Sequence, residues 1–261
     1  MKKKLLTTLI SISMTLGMTL IPSFAETEQG YIDDMDQLKS VLQQDVTAEA
    51  LTDNVAPEVA AEFMEEKLEQ AAILMNGQEI AADLQRQADG SLYDRQSFDL
   101  GDGCELVVEL CDKSEVQSGD LFMMPSTAAS TSNPQWYGYG NRSFTAKASV
   151  NCAVGTAYMN LTNNYTLSAS GIDERPGVAS STCSKGGVTI SHTAPQITDS
   201  AARTPGASDV NMHCVYTLRD DSGKLERINK YKLNTTIGFL DINKSTKKVR
   251  VRHSWNLAKV S

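Results

Sequence analysis

Histidine and tryptophan are scarce in this chain, with three and two among 261 residues. His192, His213 and His253 lie far apart, the five cysteines include no C-x-x-C pair, and no H-E-x-x-H run occurs. Zinc sites are built from such close-spaced ligands, so a metal centre has no basis here. A G-x-S-x-G nucleophile elbow and a phosphate-binding glycine loop are missing as well. Ser191-His192 and His253-Ser254 are sequence neighbours, but adjacent side chains on a strand point to opposite faces and cannot act as a couple. Cys183 with His192 or His213 is the thiol–base combination that remains. No catalytic residue, metal or cofactor is therefore assigned.

Long apolar runs are also lacking, with one exception. Residues 5–21 form an apolar stretch behind Lys2, Lys3 and Lys4, and Ser23 and Ala25 put small residues at the two positions that signal peptidase inspects. Thr7, Thr8, Ser11, Ser13, Thr15, Gly17 and Thr19 interrupt the run, which makes it a weak permanent membrane span. The expectation is a signal peptide at 1–25, a mature chain from Glu26, and a secreted, extracellular protein. A lipid anchor is disfavoured because no cysteine closes the leader, and 257–261 carries no apolar tail. In general make-up the chain resembles secreted proteins of Gram-positive bacteria, a likeness that implies no mechanism.

Basic residues are rare in the first half. From 26 to 141 there are 5 Lys and Arg against 24 Asp and Glu, or 5 − 24 = −19; from 142 to 261 there are 16 against 8, or 16 − 8 = +8. Charge segregated this strongly implies that the halves attract one another or face different partners. Cys104, Cys111, Cys152, Cys183 and Cys214 in an exported chain imply one or two disulfides and a leftover thiol. On one continuous strand Cys104 and Cys111 are about 23 Å apart, too far to bridge each other.

Apolar residues at three- and four-residue steps predict an amphipathic helix over 31–46, carried by Ile32, Met35, Leu38, Val41 and Leu42. A second helix is predicted from Asn54 as cap, with Pro57 in the first turn, to a stop at Asn76-Gly77; Phe63, Met64, Leu68, Ala71, Ala72 and Met75 line one side. The period then shortens to two. Residues 92–100 and 104–111 predict a hairpin about Gly101-Asp102-Gly103, whose aspartates fall short of a calcium loop. Residues 125–141, first small and polar, then aromatic and glycine-rich, read as a linker at the point where the charge changes sign. Beyond it, alternation predicts strands at 144–154 and 157–169 with a change of parity at Gly155, and more at 187–192, 210–218, 228–240 and 248–257. The expected fold is mainly β: an antiparallel β-sandwich or barrel over 142–261, preceded at 26–124 by an acidic segment of two helices and a β-hairpin.

Parity also nominates functional residues. In the last strand Lys248, Arg250 and Arg252 alternate with Val249, Val251 and Trp255, so one face is a basic stripe, joined by Lys230 and Lys232 from the polar side of the neighbouring strand. Lysines on a strand also serve solubility and edge protection alone. As a site, the stripe suits an anionic cell-wall polymer, a glycan, a membrane surface or the protein's own acidic half. Nucleic acid is set aside, because no aromatic platform accompanies the stripe and the chain is exported. Trp136, Tyr137 and Tyr139, set between glycines, are candidate rings for stacking on a sugar or entering a bilayer interface. Cys152 and Cys214 share the apolar parity of their strands and are the expected disulfide, with Cys183 as the competing partner. The expected function is a secreted, non-enzymatic binding protein whose basic β-domain engages an anionic or glycan cell-surface ligand and is masked by the acidic half. The alternative is a secreted toxin or bacteriocin-like effector with a removable acidic pro-segment and a membrane-inserting hairpin at 144–169.

Overall fold

Strand signals dominate beyond residue 79, and the computed structural model is accordingly mainly β, with two helices before the strands among the described residues. It describes residues 31–43, 51, 54–115, 134–184, 188–220 and 228–260; the expected leader at 1–25 and the first part of the expected linker lie outside them. Helix α1 (Met35–Leu42) begins after Asp34, whose carboxylate accepts the backbone N–H groups of Asp36 (2.8 Å) and Gln37 (3.1 Å), amides that have no partner inside the helix. Helix α2 (Pro57–Met75) starts differently from expectation: Ala56 rather than Asn54 holds the cap position and offers no side-chain bond. Pro57 follows in the first turn, where a missing N–H is harmless. Asn76, in the left-handed conformation at φ 47°, ends the helix as predicted.

Phe63, Met64, Leu68 and Met75 of α2 are buried. At roughly 1.5–3 kcal/mol each, these four side chains contribute on the order of 6–12 kcal/mol, comparable with the whole stability of an ordinary domain. The acidic helix is therefore part of the common core, and residues 31–261 make one compact unit.

Among the described residues the strands form two antiparallel sheets of seven, neither closed into a barrel. The first runs β11 (Ala201–Ala202), β8 (Gly171–Cys183), β7 (Gly155–Ser168), β6 (Gly140–Cys152), β4 (Cys104–Ser114), β3 (Leu92–Gly101), β2 (Gln85–Arg86). The second runs β1 (Ile80–Ala81), β14 (Lys248–Val260), β13 (Ile228–Asn243), β12 (Ser208–Asp220), β10 (Gln196–Asp199). On the free lengths of β14 and β12 lie β5 (Gln135–Gly138) and β9 (Val188–His192). Alternation sends Met159, Leu161 and Leu167 of β7, Leu233, Ile237 and Phe239 of β13, and Val249, Val251, Trp255 and Leu257 of β14 into the shared core. The Trp255 indole bridges the layers, donating from Nε1 to Gln96 Oε1 (3.1 Å) and meeting the Phe98 ring edge-on at 6.4 Å. No helix among the described residues is long and apolar enough to cross a membrane.

Three expectations meet different arrangements. Strands β4 and β6, which flank 125–141, pair directly, with Glu105 opposite Asn151 and Leu110 opposite Ala146. Charge thus changes sign between neighbouring strands of one sheet, and 135–141 is strand rather than linker except at Tyr139. Strand β8 has no sequence signature, since Pro176-Gly177 breaks it and it alternates poorly; pairing with β7 and β11 holds it. The expected Cys152–Cys214 disulfide is not formed, nor is any other among the described residues. Parity fixes which face a residue takes but not which sheet its strand joins, and these two fall in opposite sheets. Cys214 donates instead to the Thr193 carbonyl (3.2 Å), while Cys152 follows Asn151, the residue opposite Glu105 on β4.

Candidate functional site

Strands β12, β13 and β14 turn their polar parity outward, and the registers place these residues in rows across the sheet. Lys232 lies between Val215 and Ala258, Asn234 between His213 and Asn256, Thr236 between Asn211 and Ser254, and Gly238 between Asp209 and Arg252. The middle rows form the floor of an open depression of about 420 Å³, to which Asn211, His213, Lys232, Asn234, Thr236 and Asn256 contribute. Its polar groups are held in place by one another. Asn234 Nδ2 donates to Asn256 Oδ1, Asn211 Nδ2 donates to Asp199 Oδ2 (2.8 Å), and the Thr198 hydroxyl lies 3.1 Å from His213 Nδ1. Burial, and then the neighbouring Lys232 charge, hold the His213 imidazole below its ordinary range, so it is neutral at pH 7. Among the described residues Lys232 is thus the one cation lining the floor, amid amides and hydroxyls that both donate and accept.

The five candidate cations share this outer face but do not form an unbroken stripe. Lys248 lies opposite Asn243, Arg250 opposite Asp241 and Arg252 opposite Gly238, at one end of the β13–β14 ladder. Lys232 lies opposite Ala258 and Lys230 opposite Val260, at the other end. Arg252 and Ala258 are six positions apart on β14, about 20 Å at strand rise, so the depression separates two cationic clusters. Arg252 lies flat over the backbone of Gly238, where an added Cβ would come within 2.7 Å of its Cγ, and its guanidinium reaches Asp209 at 3.5 Å. Among the described residues Lys230, Lys232, Lys248 and Arg250 make no ion pair.

The aromatic trio is divided by the same alternation. Trp136 sits on β5 opposite Arg250 and is 43% exposed, extending the outer face beside the larger cationic cluster. Tyr137 points the other way and is buried, and Tyr139 is packed against the core. Only Trp136 is placed to meet a ligand on this face.

Beneath that face is a cluster that parity marks but that the stripe argument passed over. Asp112 ends the apolar series Leu106, Val108, Leu110 on β4; Arg142 precedes Phe144 on β6; His253 falls between Val251 and Trp255 on β14. Each is a polar group on a buried parity, which is the signal that identifies it. Arg142 donates to Asp112 Oδ1 from Nε (2.8 Å) and from Nη2, and to Ser114 Oγ from Nη1 (2.8 Å). The Tyr165 hydroxyl donates to Asp112 Oδ2, and His253 Nε2 lies 2.9 Å from that oxygen. The Arg142 guanidinium also stacks on the Tyr137 ring at 4.2 Å. Burial alone pushes the Asp112 carboxyl up, but His253, the Arg142 charge and the Tyr165 hydroxyl outweigh it and bring it down to about 2. Asp112, Tyr165 and His253 have no solvent exposure, so the cluster reaches no ligand and instead ties β4, β6 and β7 to β14 across the two layers.

Opposite charges from the two halves meet elsewhere as well. Glu69 pairs with Lys259 (2.7 Å), Glu109 with Lys147 (3.0 Å) and Glu115 with Arg175 (2.6 Å). These contacts use cations outside the candidate group. No family model, curated protein or solved structure matches the chain.

Proposed function

We propose that this is a secreted, non-enzymatic β-sandwich protein that binds an anionic glycan or cell-wall polymer on the outer face of β12, β13 and β14. One observation carries the reading: a depression of about 420 Å³, floored by amide, hydroxyl and imidazole groups, lies between two cationic clusters on one rigid sheet. Neutral donor–acceptor groups such as Asn234, Asn256 and Asn211 match the hydroxyls of a sugar chain, whose polarity a plain basic surface does not recognise. Lys232 at one end, and Lys248, Arg250 and Arg252 at the other, match carboxylate or phosphate groups spaced along a polymer. Trp136 beside Arg250 adds an exposed ring against which a sugar face can pack. Placement on strands rather than loops keeps these groups in fixed register without a cost of ordering on binding.

The test is retention of the purified chain on an immobilised polyol-phosphate polymer, with a neutral glucan and anionic phospholipid vesicles as comparisons, at low and high salt. Retention on the anionic polymer should fall steeply as ionic strength rises and should weaken at least about tenfold in a Lys248→Gln, Arg250→Gln, Arg252→Gln variant. Asn234→Ala with Asn256→Ala should weaken retention on the polymer without altering the response to vesicles. Equal retention of wild type and the triple variant sinks the reading, as does a preference for vesicles that the Asn234 and Asn256 changes leave untouched.

A further inference from the structure

Cys104 opens β4 directly after the β3–β4 turn, and Cys152 closes β6 directly before the β6–β7 turn. The β4–β6 register, Glu105 opposite Asn151 and Leu106 opposite Val150, brings the two cysteines opposite one another when it is continued by one step. Both lie on the inward parity of their strands, Cys104 with Leu106 and Val108, Cys152 with Val150 and Ala148. Directly opposed residues on antiparallel strands have Cα atoms about 4.5–5.5 Å apart, inside the range that a disulfide spans. Both thiols are free in the structure, and Cys104 is the largest influence on the Cys152 thiol, which it pushes up.

We propose that Cys104 and Cys152 are a disulfide pair, joined in the oxidised protein and clamping the β3–β4 and β6–β7 hairpins together at their turns. The remaining cysteines are poorly placed to compete. Cys111 takes the opposite parity of β4 from Cys104, and Cys214 belongs to the other sheet. Cys183 is on β8, beyond the whole of β7, so close to 10 Å separates its strand from that of Cys152. Cys152 is the more exposed of the pair and meets the oxidant first. Its thiolate attacks one sulfur of a disulfide oxidant, an oxidised protein dithiol or glutathione disulfide, forming a mixed disulfide and releasing one thiol of the oxidant. Cys104 then attacks the Cys152 sulfur, the second thiol of the oxidant leaves, and the pair has given up two protons and two electrons. Proximity to Cys104 and burial push the Cys152 thiol up, against a smaller opposing effect of the Lys67 ammonium, so the exchange quickens as pH rises.

The full chain, equilibrated with glutathione disulfide and then alkylated, tests this by mass and peptide mapping. Before alkylation the expected product is about 2 Da lighter than the reduced chain; after it, one cross-linked peptide pair joins Cys104 to Cys152, and Cys111, Cys183 and Cys214 are alkylated. Its Tm should exceed that of the reduced chain by about 5 °C or more, an increment lost in Cys104→Ser and in Cys152→Ser. Full alkylation of both residues after oxidation overturns the proposal, as does a cross-link from Cys152 to Cys183 or Cys214; the mapping uses wild-type protein, so it stands even if a variant fails to fold.

Discussion

Glu174 makes the stability of this protein fall as pH rises, and the effect is open to measurement through one substitution. The residue sits on β8 opposite Tyr165, facing inward, and both carboxyl oxygens are sealed from water. Burial pushes its carboxyl up to about 8; the Asn163 side chain beside it opposes the shift and the Asp199 carboxylate adds to it. Below the ordinary value of 4.5 the group is protonated whether the chain is folded or not, and stability is unaffected. Between 4.5 and about 8 the unfolded chain has released the proton while the folded one retains it, so each pH unit costs folding about 1.4 kcal/mol. Over that window the ceiling is near 5 kcal/mol, and because the residue as a whole is only half-buried we discount it to about 2 kcal/mol for solvent screening. Urea titrations at pH 5 and pH 9 should show wild type losing about 2 kcal/mol more than Glu174→Gln, or about 4–8 °C in Tm. Taking the difference between the two proteins cancels every other group that titrates in the window. Parallel pH profiles for wild type and Glu174→Gln would refute the argument.

Two further perturbations test the core. Asp112→Asn leaves the Arg142 charge buried without its counter-ion and should cost about 3–5 kcal/mol by urea unfolding at pH 7. In wild type the Asp112 contribution, present above the usual carboxylate range because its folded value is depressed, should disappear as pH falls toward 2. Gly177→Ala should cost about 1–3 kcal/mol, because the new Cβ would come within 2.1 Å of Met212 Sδ and 2.5 Å of Thr162 O, and repacking must separate the layers there. A Tm equal to that of wild type would mean that Met212 swings aside freely.

Local pattern was a sound guide wherever one residue's neighbours in sequence decide its state. The 3.6-residue period and the Asn76-Gly77 stop locate α2, and the Gly101-Asp102-Gly103 turn locates the β3–β4 hairpin, with Asp102 and Gly103 at φ 52° and 68°. Strand alternation placed Lys230, Lys232, Lys248, Arg250 and Arg252 on one outer face. The same rule, applied to residues that were passed over, marks Asp112, Arg142 and His253 as buried polar groups. Strand β8 escaped because backbone pairing with β7 and β11 holds it, which leaves no trace in side-chain hydrophobicity.

By itself the sequence determined the antiparallel β character, the inward or outward sense of residues on the strands that alternate clearly and the segregation of charge, because these follow from period and composition. Which strands become neighbours was decided only in three dimensions. Pairing of β4 with β6 puts the strands on either side of the apparent boundary into one sheet and sets Cys104, rather than Cys214, opposite Cys152. The β12–β13–β14 registers likewise gather Asn211, His213, Asn234 and Asn256 from distant parts of the chain into one floor. Neighbour choice rests on burying the apolar faces of both sheets at once, a sum over the whole chain that no local window contains.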